Sequence, residues 1–314
     1  KKIKIIDKKK LIKTTKTDAS EIVFKSTINK TESENSMRNN LTISNSKKAN
    51  ICKTCGTRFA HDKFKSDQCP VCSDDRQYIK EYGQEWLSYN ELSKKHTVKI
   101  NSLITNIYDL SLQPSFAIGQ KAHFITTPSG NFLWDCIPLI DENSVSFINE
   151  KGGLKAIAIS HPHYYSLMAE WASHFNCPIY LHSDDREWVM DSTSDIIFWE
   201  GDSLSLSEGV TIIRTGGHFP GSTILHYEDN GKGTVFCGDT IYLSRDRQHI
   251  SAMYSYPNVI PLDSEKLFHV FNTIAELEFD SLYGAFEWQN IHEGAKTILS
   301  NSLNRYRQIY NWKA

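Results

Sequence analysis

No stretch of the 314 residues reaches the ~18–20 consecutive apolar side chains that a bilayer-spanning helix requires, so a transmembrane helix is not expected. The N-terminus is charged and has neither an apolar core nor a small-residue cleavage site, which argues against a secretory signal. The expectation is an intracellular, cytoplasmic protein, with organellar import left open because the first residue is Lys rather than Met. No segment repeats at a period of ~20–50 residues, which argues against a repeat architecture. Acid is scarce over residues 1–50, where five acidic side chains face thirteen basic ones, although the whole chain has a formal net charge of −2. Apolar residues are scarce there too, and Ser, Thr, Asn and Lys dominate. Such a composition buries too little to offset the entropy of ordering, so a solvated, mostly disordered basic tail is expected. Its charge suits a protein or nucleic-acid partner, or an anionic membrane surface, and does not choose among them.

What the chain does contain is ordinary globular composition, 39% hydrophobic and 23% charged, and enough length for one large domain beside a small one. Three parts follow in order: the tail 1–50, a cysteine module 51–75 and a larger domain 76–314. In the last, strands are expected at Ala122–Thr127, Phe132–Cys136 and Leu154–Ser160, then CPIYLH, GVTIIRT, STILHYED and GTVFCGDT. Helices are expected at 166–176, over DDREWVMD and through much of the sequence after Ser264. Strand–helix alternation mixed with hairpins predicts an α/β sandwich with helices outside.

Cys52-x-x-Cys55 and Cys69-x-x-Cys72 form the most specific local signal. Two knuckles so spaced bring four thiolates to the corners of a tetrahedron with Zn–S near ~2.3 Å. Gly56 suits the tight turn after the first knuckle and Pro70 stiffens the second. A redox pair usually has one such motif, and nothing signals secretion, so structural zinc is favoured over thiol exchange or disulfides. The module resembles a zinc ribbon or rubredoxin-type knuckle pair. Cys136, Cys177 and Cys237 read as core thiols.

The second signal is the strand LKAIAIS running into HPHYY. His161 and His163, one residue apart on a loop, can aim two imidazoles at a shared centre. His218 in TGGHFPGS and Asp239 in VFCGDT lie where strands end, and Asp135 ends the strand FLWDC. This ordered set, over roughly residues 98–300, resembles the metallo-β-lactamase superfamily. The resemblance implies an αββα sandwich with metal at one edge of its two sheets. It further implies His161, His163 and His218 as ligands, Asp239 at the position of the bridging Asp, and Asp135 as a buried support for the motif loop. The chain departs from the superfamily pattern HxHxDH by having Tyr165 and Ser166 where Asp and His belong. It has Phe286 and Glu287 where a late His is expected, and His292, expected within a helix, comes slightly after.

A second metal position without those ligands points to a site for one ion. Three imidazoles suit Zn²⁺ with a fourth position free for water, whose pKa the ion lowers to ~7. The expectation is a mononuclear zinc hydrolase, with zinc hydroxide attacking a small-molecule ester, thioester, lactone or amide. Asp239 would orient that hydroxide and take its proton, and a flanking phenol, Tyr165 or its neighbour Tyr164, would donate to an oxyanion or leaving group. Two alternatives stand beside it. His161, His218 and Asp239 make a two-His, one-carboxylate set that fits iron and a dioxygenase. The eroded second site, the basic tail and the extra zinc module also fit a non-catalytic subunit of a larger assembly. Trp188, Trp199, Tyr242 and Trp288 are candidates for a pocket lining, each equally at home in a core.

Overall fold

Residues 47–60, 63–64, 67–193, 195–229 and 231–312 are described by the computed structural model of the protein, and all fall in the unit Ile43–Ala314. The expectation for the basic tail lies almost wholly outside the described residues.

Two short strands, β1 (Ala49–Cys52) and β2 (Trp86–Ser88), pair antiparallel and enclose the cysteine module, which contains the one-turn helix α1 (Pro70–Ser73). Helix α2 (Tyr89–Ser93) follows, started by a reciprocal capping box between Ser88 and Glu91. The first sheet runs in simple sequence order through β3 (Thr97–Ile104), β4 (Ile107–Gln113), β5 (Ala122–Ile125), β6 (Phe132–Trp134), β7 (Ala156–Ala158), β8 (Ile179–His182) and β9 (Ile196–Trp199). It is antiparallel through β6 and parallel from β6 to β9. The crossovers carry α3 (Glu142–Glu150), capped by Asp141, and α4 (Met168–Phe175).

The second sheet contains β10 (Ser203–Ser207), β11 (Val210–Arg214), β12 (Thr223–Asp229), β13 (Lys232–Gly238) and, beyond the small ribbons β14 (Tyr242–Leu243) with β15 (Ile250–Ser251) and β16 (Met253–Ser255) with β17 (Ile260–Pro261), the parallel strand β18 (Ser281–Gly284). Helices α5 (Ser264–Ala275) and α6 (Ala295–Tyr310) complete the chain.

Successive residues of one strand feed two cores, because side chains alternate across a pleat. Ile224, Val235 and Cys237 pack with Leu267, Phe271 and Leu299 of α5 and α6. Their neighbours Leu225 and Phe236 pack between the sheets with Phe132, Trp134 and Ile212. Burial on both faces explains why β13 reads as a continuous apolar run. The architecture is a metallo-β-lactamase-like αββα sandwich preceded by a four-cysteine cluster, as expected.

Three expected elements differ. Helix 166–176 starts at Met168, because His161 leads into a 3₁₀ turn over Pro162–Tyr164 and Ser166 sits at φ +40°. DDREWVMD holds a 3₁₀ turn over Ser183–Trp188 that gives way to extended backbone at Val189. His292 is not helical: it follows the bridge residue Ile291, and α6 begins only after Gly294 at φ +77°.

Candidate metal centres

The chain leaves β6 at Asp135, β7 toward His161, β11 toward His218 and β13 at Asp239, so four strand ends deliver the expected side chains to one rim of the sandwich. His161, His163, His218 and Asp239 each contribute one ligand atom to a group in which all lie within 4.8 Å of one another, and all four are buried. Ser160 joins the two sheets beside them. Its amide donates to Asp135 Oδ1 at 2.7 Å, and its carbonyl accepts from the Thr223 amide at 2.9 Å. Gly238 packs directly on it at φ +50°, where an added Cβ would lie 2.4 Å from Ser160 Oγ, so only glycine fits. Asp135 thus holds the loop and is not one of the four. Burial, with a smaller contribution from Asp239, pushes its carboxyl up to about 8 against the bonds from Ser160.

The outer ring nitrogens orient the inner ones. His218 Nδ1 lies 2.8 Å from the Tyr254 carbonyl, which can only accept, so Nδ1 carries the proton and Nε2 presents a lone pair. That Nε2 lies 3.2 Å from His163 Nδ1. His161 Nδ1 meets Ser160 Oγ at 2.8 Å, leaving Nε2 buried without a hydrogen-bond partner among the described residues and 3.6 Å from Asp239 Oδ2. Burial pushes His218 down to about 3 and His163 well below its usual value, so both rings are neutral. Burial would raise Asp239, but His161, His218 and Tyr164 outweigh it and hold the carboxyl below its usual range. The spacings of 3.2 Å between His218 Nε2 and His163 Nδ1 and 3.6 Å between His161 Nε2 and Asp239 Oδ2 match the ~3.4 Å edge of a tetrahedron built on bonds of ~2.0–2.1 Å. Phe219, fully buried, backs all three rings with centroids at 5.0–5.7 Å.

The four cysteines make a second such group. Cys52 Sγ lies 3.7 Å from Cys72 Sγ, and Cys55 Sγ lies 3.8 Å from Cys69 Sγ. Zn–S bonds of ~2.3 Å give a tetrahedral edge of ~3.8 Å, so the spacing fits that ion. Contacts among the thiols pull Cys52 far down and push Cys55 up; four thiolates share this volume only around a cation. Gly56 at φ +79° returns its amide to the Cys52 carbonyl at 2.9 Å. Gln84 braces both knuckles, donating to Cys52 Sγ at 3.2 Å and accepting from the Cys69 amide at 3.2 Å.

Residues 120–283 match the Metallo-beta-lactamase superfamily. The chain belongs to that superfamily. It is 40% identical over 265 residues to the uncharacterized protein YmaE of Bacillus subtilis (strain 168), covering 83% of this chain and 96% of that one. Among solved structures, the metallo-β-lactamase FIM-1 from Pseudomonas aeruginosa, in a mono-zinc form, shares the fold with a TM-score of 0.50 at 13% identity over 68% of this chain and 97% of its own. TMB-1 gives a TM-score of 0.51 at 13% identity over 68% of this chain and 99% of its own. Superfamily membership and the His/Asp group together support a metal-dependent hydrolase in the general sense. No helix among the described residues is long and apolar enough to cross a membrane.

Against the metallo-β-lactamase pattern, the two substituted positions turn away from the group. Ser166 Oγ accepts from Gln120 at 2.9 Å. Tyr165 is buried, and after burial itself the charge pressing on its phenol is that of Asp185 rather than Asp239. Of the two flanking tyrosines, it is Tyr164 that donates its hydroxyl to Asp239 Oδ1, at 2.6 Å. The turn through Pro162–Tyr164 swings residue 164 rather than 165 toward the carboxylate. His292 meets Tyr283 at 3.2 Å and stands outside the group.

A cleft of about 400 Å³ opens on His163, His218 and Asp239 and is lined by Tyr242, Tyr256, Phe286, Arg76, Tyr78 and Lys80 among others. Of the proposed pocket aromatics, Tyr242 lines it and Trp288 packs behind Tyr242 at 4.8 Å. Trp199 belongs to the inter-sheet core, and Trp188 packs against the cysteine core. Sequence patterning missed Arg76, Tyr254 and Asp185. The first two reach the site through backbone carbonyls, and Asp185 accepts the Gly221 amide at 2.8 Å; no local motif marks such roles.

Proposed function

We propose that the protein is a mononuclear zinc hydrolase acting on a small-molecule ester, thioester, lactone or amide. The observation that carries this reading is the Tyr164–Asp239 bond. An Asp that bridges two ions offers one oxygen to each, but here Oδ1 already accepts a phenol at 2.6 Å. That makes Oδ2, beside His161 Nε2, the oxygen best placed to face an ion. That Tyr165 and Ser166 are also turned elsewhere supports the same one-ion reading.

His161 Nε2, His163 Nδ1, His218 Nε2 and Asp239 Oδ2 would hold the active-site ion, and Cys52, Cys55, Cys69 and Cys72 a structural one. A zinc ion with an open position supplies Lewis acidity and lowers the pKa of a bound water to ~7. The chain's residues do the rest. The Tyr254 carbonyl and Ser160 Oγ fix the imidazole orientations, as outer partners of ligating histidines do. Tyr164 fixes the carboxylate plane, and His161, then His218, with Tyr164 adding to them, hold Asp239 anionic. So stabilised, Asp239 suits ligation and orientation of the nucleophile better than strong proton abstraction. The cleft has the size of a small-molecule site. FIM-1, of the same fold, has been solved with one zinc.

Elemental analysis of the full chain tests the proposal. The expected result is two zinc per chain, falling to one in His218→Ala together with loss of hydrolysis across an ester, thioester, lactone and amide panel. Three ions per chain would overturn it, and iron with substrate-dependent oxygen uptake would replace it with the dioxygenase.

A further inference from the structure

We propose that Arg76 is a positioning residue for the active site, through which the four-cysteine centre sets the metal affinity of the histidine centre. The proposal rests on the reading of both groups as metal sites. Arg76 stands four residues beyond Cys72 yet touches the other centre directly. Its Nε donates to the His218 carbonyl at 2.6 Å. Its guanidinium lies 4.2 Å from the ring centroid of Phe219 and 4.7 Å from that of Tyr254. Phe219 is the ring behind the three histidines, and Tyr254 supplies the carbonyl that orients the His218 imidazole. One planar cation therefore braces a ligand's main chain, its backing and its orienting partner. A lysine, with no plane to stack and no fixed fork, cannot reproduce that.

The loop is closed at its base, where the Thr215 and Gly216 amides donate to the Ser222 carbonyl at 2.8 and 3.0 Å, and the brace acts at its tip. Gly216 and Gly217 precede His218 at φ +60° and +86°, a backbone with little rigidity of its own. The brace is itself set from the cysteine side. The Cys72 and Ser73 amides turn back onto the Cys69 carbonyl at 3.0 and 2.9 Å, and the Gln77 amide onto Asp74 at 3.0 Å. Asp74 Oδ1 receives Arg76 Nη1 at 2.8 Å. On the far side, Ser255 Oγ donates to the Arg76 carbonyl at 3.1 Å. Asn258 Nδ2 donates to the carbonyls of Asp75 and Gln77 at 2.9 and 3.0 Å. An ion that fixes Cys69 and Cys72 fixes the origin of this segment, and with it the guanidinium. By linkage, filling either centre then favours filling the other.

Cobalt(II) titration of the metal-free full-length chain tests this. Thiolate-to-cobalt charge-transfer bands read the cysteine centre, and the ligand-field bands of a nitrogen–oxygen site read the other. Arg76→Ala is expected to weaken the histidine centre about 10–100-fold, the usual effect of losing an outer partner of a ligand, with the thiolate titration unchanged as long as the histidine centre is empty. Arg76→Lys should recover only part of the loss. Cys69→Ser should weaken the histidine centre to a similar extent, and adding Arg76→Ala to it should cost little more, since both act along one path. A folded Arg76→Ala protein with unaltered affinity at the histidine centre would overturn the proposal, as would losses that multiply independently in the double variant. Should Cys69→Ser fail to fold, the reciprocal reading decides: a filled histidine centre should tighten the thiolate titration in the wild type and not in Arg76→Ala, and equal titrations in the two would overturn the proposal. A wild-type chain without any nitrogen–oxygen bands would instead overturn the metal-site reading itself.

Discussion

Tyr164→Phe isolates the bond on which a one-ion centre depends. The substitution removes one oxygen from a fully buried side chain and keeps its ring, which packs 4.3 Å from that of His161. What is lost is a hydrogen bond of 2.6 Å to a buried carboxylate. Bonds to charged groups contribute about 1.5–3 kcal/mol, and an abandoned buried partner places the loss toward the upper end. For a domain of this size, ~3 kcal/mol lowers the melting temperature by about 6–12 °C. That shift is expected in the metal-free protein at neutral pH. The sign follows from the direction of the Asp239 shift: its folded pKa lies below the ordinary 3.8, so the stabilisation is full above that value and fades as pH falls through the folded one. With zinc bound, the ion supplies the counter-charge, and the shift should shrink to less than half. Differential scanning calorimetry with and without zinc makes the comparison. A loss of equal size in both forms, or none in either, would refute the role given to Tyr164.

Three further perturbations probe the surrounding scaffold. Gly238→Ala places a Cβ 2.4 Å from Ser160 Oγ at φ +50°; elemental analysis should show the histidine centre emptied while the cysteine centre keeps its ion. Burial pushes Asp185 up to about 7, so the folded chain holds a proton that the unfolded chain releases near ~4. Stability should then fall as pH rises from about 4 to 7 by up to ~1.4 kcal/mol per unit, and Asp185→Asn should flatten that slope in melts at several pH values. Lys121 and Asp109 form a buried ion pair at 2.6 Å. Lys121→Met should cost about 3–5 kcal/mol in urea unfolding, with most of it recovered on adding Asp109→Leu.

The members of the histidine group were legible because each sits where an apolar strand stops: SHPH after β7, GGH after β11, CGD after β13. Strand ends and short motifs are local features, and the cysteine knuckles are more local still. Which tyrosine faces Asp239 was not legible, because a 3₁₀ turn and an α-helix aim neighbouring side chains differently and HPHYY is compatible with either. DDREWVMD misled for a related reason. Its residues tolerate a helix, but Asp185 is drawn to the Gly221 amide and the chain leaves the turn to bring Met190 to the cysteine core. Arg76 was invisible for want of any pattern: its partner, the His218 carbonyl, has the same chemistry as every other peptide group in the chain.

The cysteine core contains Phe59 and Val71 but is closed by Met190, with Trp188 against it. The Ala60 amide donates to the Met190 carbonyl at 3.0 Å, and Lys63 Nζ to that of Val189 at 2.8 Å. During synthesis the four thiols thus leave the ribosome well over a hundred residues before the segment that closes their core. Phe59, Phe64, Ile79 and Trp86 cover the knuckles from nearby sequence, but the last side of that core closes only after β3 to β8 are made, a long-range closure of the kind that slows folding. Complete burial of the four-cysteine core therefore depends on a segment that is synthesised late, and the module draws part of its enclosure from the domain that follows it.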